Sequence, residues 1–328
     1  MKNQDTFEVG RAGKARTWLH TLAVAGAMAL AACGGGDAPE AEAPAEAPAQ
    51  AQAQDGDMII VSGASGQLGG MVVDELLERG VAPSRLILVS RTPNALSRYA
   101  DMGASTRFGD FTQPESLAAA YEGGDRMLLI SIDSGMGENR AALHKNAIDA
   151  AVAAGVGHIA YTSLVDAENN TSPLAADHKL TEQFLRESGV AWTMLRNNLY
   201  MDPLVPQAMD MIVNGRVERS DVGVAYVARQ DCAAAAAAVL ATDGHENQVY
   251  EITGPAVIRP QDVATALTEV TELSVRVVDP SGEPDAMTSS PSFATVSDAV
   301  QRLTGRAPMS LQSLFEAHHD EIMAGTGA

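Results

Sequence analysis

The chain has 328 residues, of which 46% are hydrophobic, 4% aromatic and 20% charged, with a formal net charge of −20. That is enough apolar material for one large domain or two small ones, and the acidity, with no run of five basic residues, argues against nucleic acid as a partner. Two cysteines, Cys33 and Cys232, stand far apart, which argues against a disulfide framework or a cysteine zinc site, and no metal is expected.

The first segment reads as an address. Lys2, Arg11, Lys14 and Arg16 precede an uncharged apolar stretch from Thr21 to Ala32. Twelve residues make about 18 Å of helix, short of the ~30 Å of hydrocarbon that a span must cross. A basic flank, a short apolar core and small residues before a cut site describe a signal peptide. Leu30-Ala31-Ala32-Cys33 resembles the bacterial lipoprotein signature, with Cys33 the lipidated residue. Residues 1–33 are therefore expected to be a lipoprotein-type signal. The protein would be lipid-anchored in the cell envelope, facing the periplasm, and would touch the membrane only through that anchor. An ordinary secretory signal, or a cytoplasmic protein with a mis-assigned start, is the alternative. Residues 34–56 are rich in Ala, Pro, Glu and Gln and lack large apolar side chains, so they form an extended tether. The folded body is residues 57–328.

From Met58 a strand–helix rhythm sets in. "MIIVSG" is a short buried strand, and "QLGGMVVDELLERG" is helical, with Leu68, Val72, Leu76 and Leu77 on one face. Further strands read as "RLILVS", "STRFGD" and "RMLLISI". The helix "ENRAALHKNAIDAAVAAG" leads to a fifth strand, "HIAYTS", and "DHKLTEQFLRESG" leads to a sixth, "AWTMLR". Gly80, Gly155 and Gly189 stand where helix ends favour glycine. Strands without polar alternation, separated by helices, predict an α/β fold with a doubly wound parallel Rossmann sheet. Beyond Asn197 the rhythm loosens. "MDPLVPQAMDMIVNGRVERS" and Val275 to Ser292 fit a smaller, irregular C-terminal substrate lobe, mainly about residues 198–230 and 255–328. "DCAAAAAAVLATDG" and "QVYEITG" read as a helix and strand returning to the core, with Cys232 a small buried apolar residue.

Gly63, Gly66 and Gly69 form G-x-x-G-x-x-G directly after the first strand and at the opening of the first helix. Three glycines alone fit a tight turn equally well. In a βαβ unit, however, the first allows the turn, the second admits a pyrophosphate to the backbone, and the third lets helix and strand pack closely. The helix N-terminus then faces the phosphates. At the end of the second strand, where an acid would bind the ribose 2′-hydroxyl of NAD, stand Ser90 and Arg91, with no acid until Asp101. A guanidinium suits a 2′-phosphate, so NADP(H) is favoured over NAD(H). A solvated surface arginine is the plainer alternative.

The proton donor of ordinary short-chain dehydrogenases, a Tyr-x-x-x-Lys pair, is missing. The folded body has two lysines, Lys145 and Lys179, and Ala141 and Ala175 stand four residues before them. An already electron-poor acceptor such as a quinone, an azo compound or a cationic dye needs less help from an acid. The protein then supplies chiefly orientation and exclusion of water.

"VSGASGQLGG", "SRTPNAL", "GDFTQPESLAAAYEGGDRMLLIS", "AAVAAGVGHIAYTSL" and "SPLAADHKLTEQFLRESGVAWTMLRNNLYMD" together resemble the NmrA-like atypical short-chain dehydrogenases, nearest to bacterial NAD(P)H:quinone oxidoreductases and triphenylmethane reductases. The resemblance implies that Gly63, Ser65, Gly66, Gln67, Leu68 and Gly69 hold the pyrophosphate and Arg91 the adenosine phosphate. Asp110 and Phe111 would border the adenine, Ser131 would line the cofactor channel, and Tyr161, Thr162 and Ser163 would face the nicotinamide. Tyr200, His178 and Asn197 would be the catalytic or substrate-mouth residues. For His178 a satisfied structural histidine, and for Tyr200 a packing aromatic, are the competing readings. Met201, Met209 and Met211 are expected to fill an apolar pocket wall.

The expected activity is hydride transfer from NADP(H) to a small electron-poor acceptor such as a quinone. Because free NADPH is scarce outside the inner membrane, a non-catalytic, dinucleotide-binding redox sensor or an envelope scaffold stays open as the alternative.

Overall fold

The computed structural model describes residues 56–133, 139–220, 222–280 and 285–324. The expected signal with its expected lipidation site, Cys33, and nearly all of the expected tether lie outside these residues. The described residues fall in one compact unit, Ala49–Ala328.

Each early strand is an apolar run buried on both sides. In chain order the elements are β1 (Ile59–Ser62), α1 (Gln67–Glu78), β2 (Leu86–Ser90), α2 (Ser97–Asp101), β3 (Ser105–Phe108), α3 (Leu117–Tyr121), β4 (Arg126–Leu129), α4 (Arg140–Ala153), β5 (His158–Leu164), α5 (Ala175–Glu187) and β6 (Ala191–Asn197). There follow α6 (Leu204–Val213), β7 (Arg216–Glu218), α7 (Arg229–Ala241), β8 (Gln248–Ile252), α8 (Pro260–Thr271), β9 (Arg276–Val278), α9 (Ala299–Thr304), α10 (Leu311–Ala317) and α11 (His319–Ala324).

Seven strands form one sheet in the order β3-β2-β1-β4-β5-β6-β8, and all its pairings are parallel. The expected doubly wound fold is present. α1, α7 and α9 cover one face, packing on Ile59, Val61, Leu88, Leu128 and Leu195. α3, α4 and α5 cover the other, packing on Ile60, Met127, Ile159, Tyr161 and Met194. The alanine run Ala233–Ala238 in α7 is fully buried; without bulk, that helix can lie close to both the sheet and α1. Cys232 is a free, buried thiol, and burial pushes its pKa well up, so it behaves as the expected small apolar residue.

The region after Asn197 differs from the expectation of an irregular lobe. α6, α8, α10 and α11 enclose a second apolar core built from Met201, Leu204, Ala208, Leu267, Phe315 and Ile322, beside the parallel pair β7–β9. Pro206 hid α6, yet a proline in the first helical turn removes no intrahelical hydrogen bond. α8 opens with Pro260, and Asp262 accepts the Arg259 N–H at 2.7 Å, a start signal that a scan for apolar periodicity passes over. α9 does not belong to the lobe: Ala299, Val300 and Leu303 pack with α7 on the main sheet.

Candidate functional site: a groove across the strand ends

The chain leaves β1 to one side and β4 to the other, so a crevice opens at their carboxyl ends, where doubly wound sheets bind ligands. Two adjoining hollows of about 460 and 570 Å³ fill it. Gly63, Gly66 and the segment Ile130–Asp133 line both, making one continuous groove.

The glycine loop is built for close approach. Gly63 has φ +90°, which side-chain-bearing residues rarely adopt, and its N–H donates to Val89 O at 2.9 Å. A Cβ on Gly69 would lie 2.3 Å from Gly63 O and 2.8 Å from Ala64 Cα, so α1 can seat on β1 only with glycine there. Gly66 caps α1 without offering a side-chain oxygen, which leaves the positive helix end open to an anion. Gln67, Leu68 and Gly69 line the second hollow, and Ser65 lines the first. These are features a diphosphate fits.

The first hollow continues past β2. The Ser65 and Ser90 hydroxyls lie 2.6 Å apart, and Thr92 N–H donates to Ser90 Oγ at 2.9 Å, so the loop after β2 is tied to the glycine loop. Arg91 is exposed on its wall. Burial opposes charge on Asp110, but hydrogen bonds from Thr112 N, Thr112 Oγ1 and Gln113, with Arg91 nearby, hold its carboxyl below the ordinary value. Asp110 and Phe111 both line this hollow, at the expected adenine end.

The second hollow gathers the remaining candidate residues. Thr162 Oγ1 accepts the Ser131 N–H at 2.8 Å and donates to Ser131 Oγ at 3.2 Å, fastening the end of β4 to β5 beneath the groove. Asn197 Nδ2 donates to the Tyr200 hydroxyl at 3.4 Å, which leaves the phenolic hydrogen free to donate into the groove. Burial raises the Tyr200 pKa, so it stays an O–H donor. Asn197 is 5% exposed, and its Oδ1 is buried with no hydrogen-bond partner. A buried, unsatisfied acceptor in a groove wall fits a ligand donor. The Arg229 guanidinium lies 4.9 Å above the Tyr200 ring and pairs with Asp202 at 3.0 Å.

His178 lines the groove, but both its nitrogens are engaged. Arg140 Nη2 donates to Nε2 at 3.0 Å, since a guanidinium has no acceptor. The neutral ring therefore carries its hydrogen on Nδ1 and donates it to the Tyr161 hydroxyl at 2.9 Å. Burial, then the nearby Arg140 charge, holds the His178 pKa well below normal, so the ring has no second proton to give. The satisfied structural reading of His178 is the one the geometry supports. Tyr161 corrects the expectation that it faces the nicotinamide. Strand alternation turns its ring to the opposite face, where it is fully buried among α4 and α5. Ser163 lines the groove, but its hydroxyl donates to buried Glu182 at 2.7 Å. The three methionines do not line either hollow; Met201 is fully buried in the second core, and Met211 packs against it.

Arg140 and His144 escaped the sequence reading. His144 Nε2 accepts the Ile132 N–H at 3.0 Å, and Arg140 Nε donates to Ile132 O at 2.7 Å, so α4 grips both backbone polar groups of one groove residue. Glu182 and Arg196 form a buried bidentate pair, both bonds 2.8 Å, directly before Asn197.

A family model described as NAD(P)H-binding matches residues 63–243. Quinone oxidoreductase 2 of Escherichia coli (strain K12) is 37% identical over 214 residues, covering 65% of this chain and 74% of that protein. An NAD(P)H azoreductase of Xenophilus azovorans is 31% identical over 258 residues, covering 76% and 87%. The crystal structure of a Citrobacter sp. triphenylmethane reductase complexed with NADP(H) superposes with a TM-score of 0.74 at 33% identity, over 79% of this chain and 99% of that one. The glycine loop, the continuous groove and these likenesses agree: the chain belongs to the NAD(P)H-binding, NmrA-like reductase family that its motifs resemble.

Proposed function

We propose that the protein is an NADPH-dependent reductase that transfers hydride to a small, electron-poor acceptor of the quinone type. The observation that carries this reading is the continuity of the groove: a phosphate-ready glycine loop at one end and an unsatisfied polar pocket at the other share one floor. When bound, NADPH supplies the hydride. Gly63 to Gly69 would hold its diphosphate, Arg91 its 2′-phosphate, and the Ser131–Thr162 link would fix the floor under its nicotinamide. Tyr200 would donate a hydrogen bond to the acceptor, and Asn197 Oδ1 would accept one from ligand. Leu174 and Leu199 line the same end and would help to exclude water. Mixing the purified protein with NADPH and a benzoquinone and following nicotinamide absorbance tests the reading. The expected result is decay well above the uncatalysed rate; NADPH binding without turnover of any acceptor would favour a redox sensor instead.

For the N-terminus, the proposal is a lipid-anchored envelope protein, supported by Leu30-Ala31-Ala32-Cys33 and the tether composition. Mass spectrometry of the protein from native membranes tests it. A mature chain beginning at a lipidated Cys33 is expected, and an unprocessed N-terminus would overturn it.

A further inference from the structure

Arg140 opens α4 and is 5% exposed, yet it lines the acceptor end of the groove. Two of its nitrogens are spent on position: Nε on Ile132 O and Nη2 on His178 Nε2. Among the described residues, Nη1 has no hydrogen-bond acceptor, and its one ion-pair partner, Asp177 Oδ2, is 3.9 Å away on a side chain one-third exposed. Neutral His178 does not offset the charge. The other guanidinium of this hollow, on Arg229, is neutralised by Asp202, and Asp133 has an interaction of its own. Among the described residues, the acceptor end thus holds one buried, rigidly held cation with unused N–H donors.

Resting on the proposed reductase reading, we infer that Arg140 is the electrophile of this site. Its Nη1 edge binds the acceptor oxygen on which negative charge builds, replacing the missing Tyr–Lys pair. The acceptor takes one hydrogen with its electron pair from the reduced nicotinamide, which is oxidised. The hydride adds to one quinone oxygen as the ring becomes aromatic, and the bond pair of the opposite carbonyl moves onto its own oxygen, giving the hydroquinone monoanion; a solvent proton completes the hydroquinone. A donor fixed in advance beside that oxygen stabilises the charge without reorganising. A cationic triphenylmethane dye behaves differently. Hydride addition there cancels a positive charge and creates no oxyanion, so the guanidinium contributes nothing to it.

The test uses a binding readout and a turnover comparison on the full chain, with Arg140→Gln and Arg140→Lys. The binding probe is 4-nitrophenol in the presence of NADP+, read by phenolate absorbance across pH. Wild type should lower the bound phenol's pKa by about one to two units; Arg140→Gln should abolish the shift, and Arg140→Lys, which keeps charge but loses the Ile132 contact, should restore part of it. In turnover, Arg140→Gln should cut kcat/KM for a neutral benzoquinone ~100-fold, and at least about tenfold more than it cuts that for a cationic dye. An identical phenol titration in wild type and Arg140→Gln, or equal losses for both acceptors, would overturn the proposal. A wild type that shifts the phenol but reduces no acceptor would refute the reductase reading and leave the Arg140 oxyanion site standing.

Discussion

His178 Nδ1 donates to the Tyr161 hydroxyl at 2.9 Å, and this one bond ties a groove residue to the sheet core. Tyr161 is buried on the far face, with its pKa raised first by burial, so the hydroxyl is a permanent neutral partner. Tyr161→Phe should therefore lower stability by about 1–3 kcal/mol, because it leaves a buried donor unpaired, and should leave the NADPH Kd within about twofold. Chemical denaturation and fluorescence titration check the two halves separately. A large loss of cofactor affinity with normal stability would mean that Tyr161 acts at the nicotinamide after all.

Gly69→Ala tests the cradle. Its Cβ would stand 2.3 Å from Gly63 O, which is backbone and has nowhere to retreat. α1 must lift from β1, at a cost of about 1–3 kcal/mol, and carry the anion site with it. A drop of at least about tenfold in NADPH affinity is expected by calorimetry, with a lower melting temperature. Gly80→Ala meets nothing within 4 Å and should leave cofactor affinity unchanged.

Arg91→Ala tests cofactor choice. A charge-assisted bond to phosphate contributes about 1.5–3 kcal/mol, so kcat/KM with NADPH should fall ~10- to 100-fold. Turnover with NADH, which has a hydroxyl there, should change little. Equal losses with both nucleotides would assign Arg91 a different role.

Acid stability should be governed by buried histidines. Burial, with nearby arginines, lowers His144 to about 3 and His158 to about 4, and His178 lies well below normal. Below about pH 6.5 the unfolded chain takes up protons that the fold refuses, so stability is lost as pH falls from there toward the folded-state values. Each histidine contributes a slope of about 1.4 kcal/mol per pH unit inside its window. Glu182 adds to the loss lower down. Burial opposes its charge, but Arg196 and Ser163 hold it below its ordinary value, so its contribution is present above that value and disappears as pH drops through the lowered one. Urea unfolding at stepped pH should show the decline beginning near pH 6.5; a flat profile down to pH 4.5 would contradict the neutral-histidine assignment.

Much of the site was legible before any coordinates. The glycine spacing and the strand–helix alternation are local properties, set by backbone sterics and by burial of short apolar runs, and the glycine loop does lie at the strand ends, where the groove runs. Which face a strand residue presents is also a local matter, but which face meets ligand is not. Thr162 and Ser163 line the groove while adjacent Tyr161 points away, and only the packing of α4 and α5 decides that. α8 escapes an apolar-periodicity reading because its start is marked by Pro260 and Asp262, and α9 because six residues are too short to show a period.

By itself, then, the sequence determined the class of the fold and the glycine turn between β1 and α1, since both follow from short-range chain geometry. At the proposed acceptor end the sequence named Tyr200, His178 and Asn197 only through the family resemblance and left out Arg140; how the four meet was decided by tertiary structure. Arg140, His178, Asn197 and Tyr200 come from α4, α5, the end of β6 and the loop after it. For Arg140 and His178, protonation and unused donors depend on partners 38 and 17 residues away, and no periodicity within one segment encodes such a meeting.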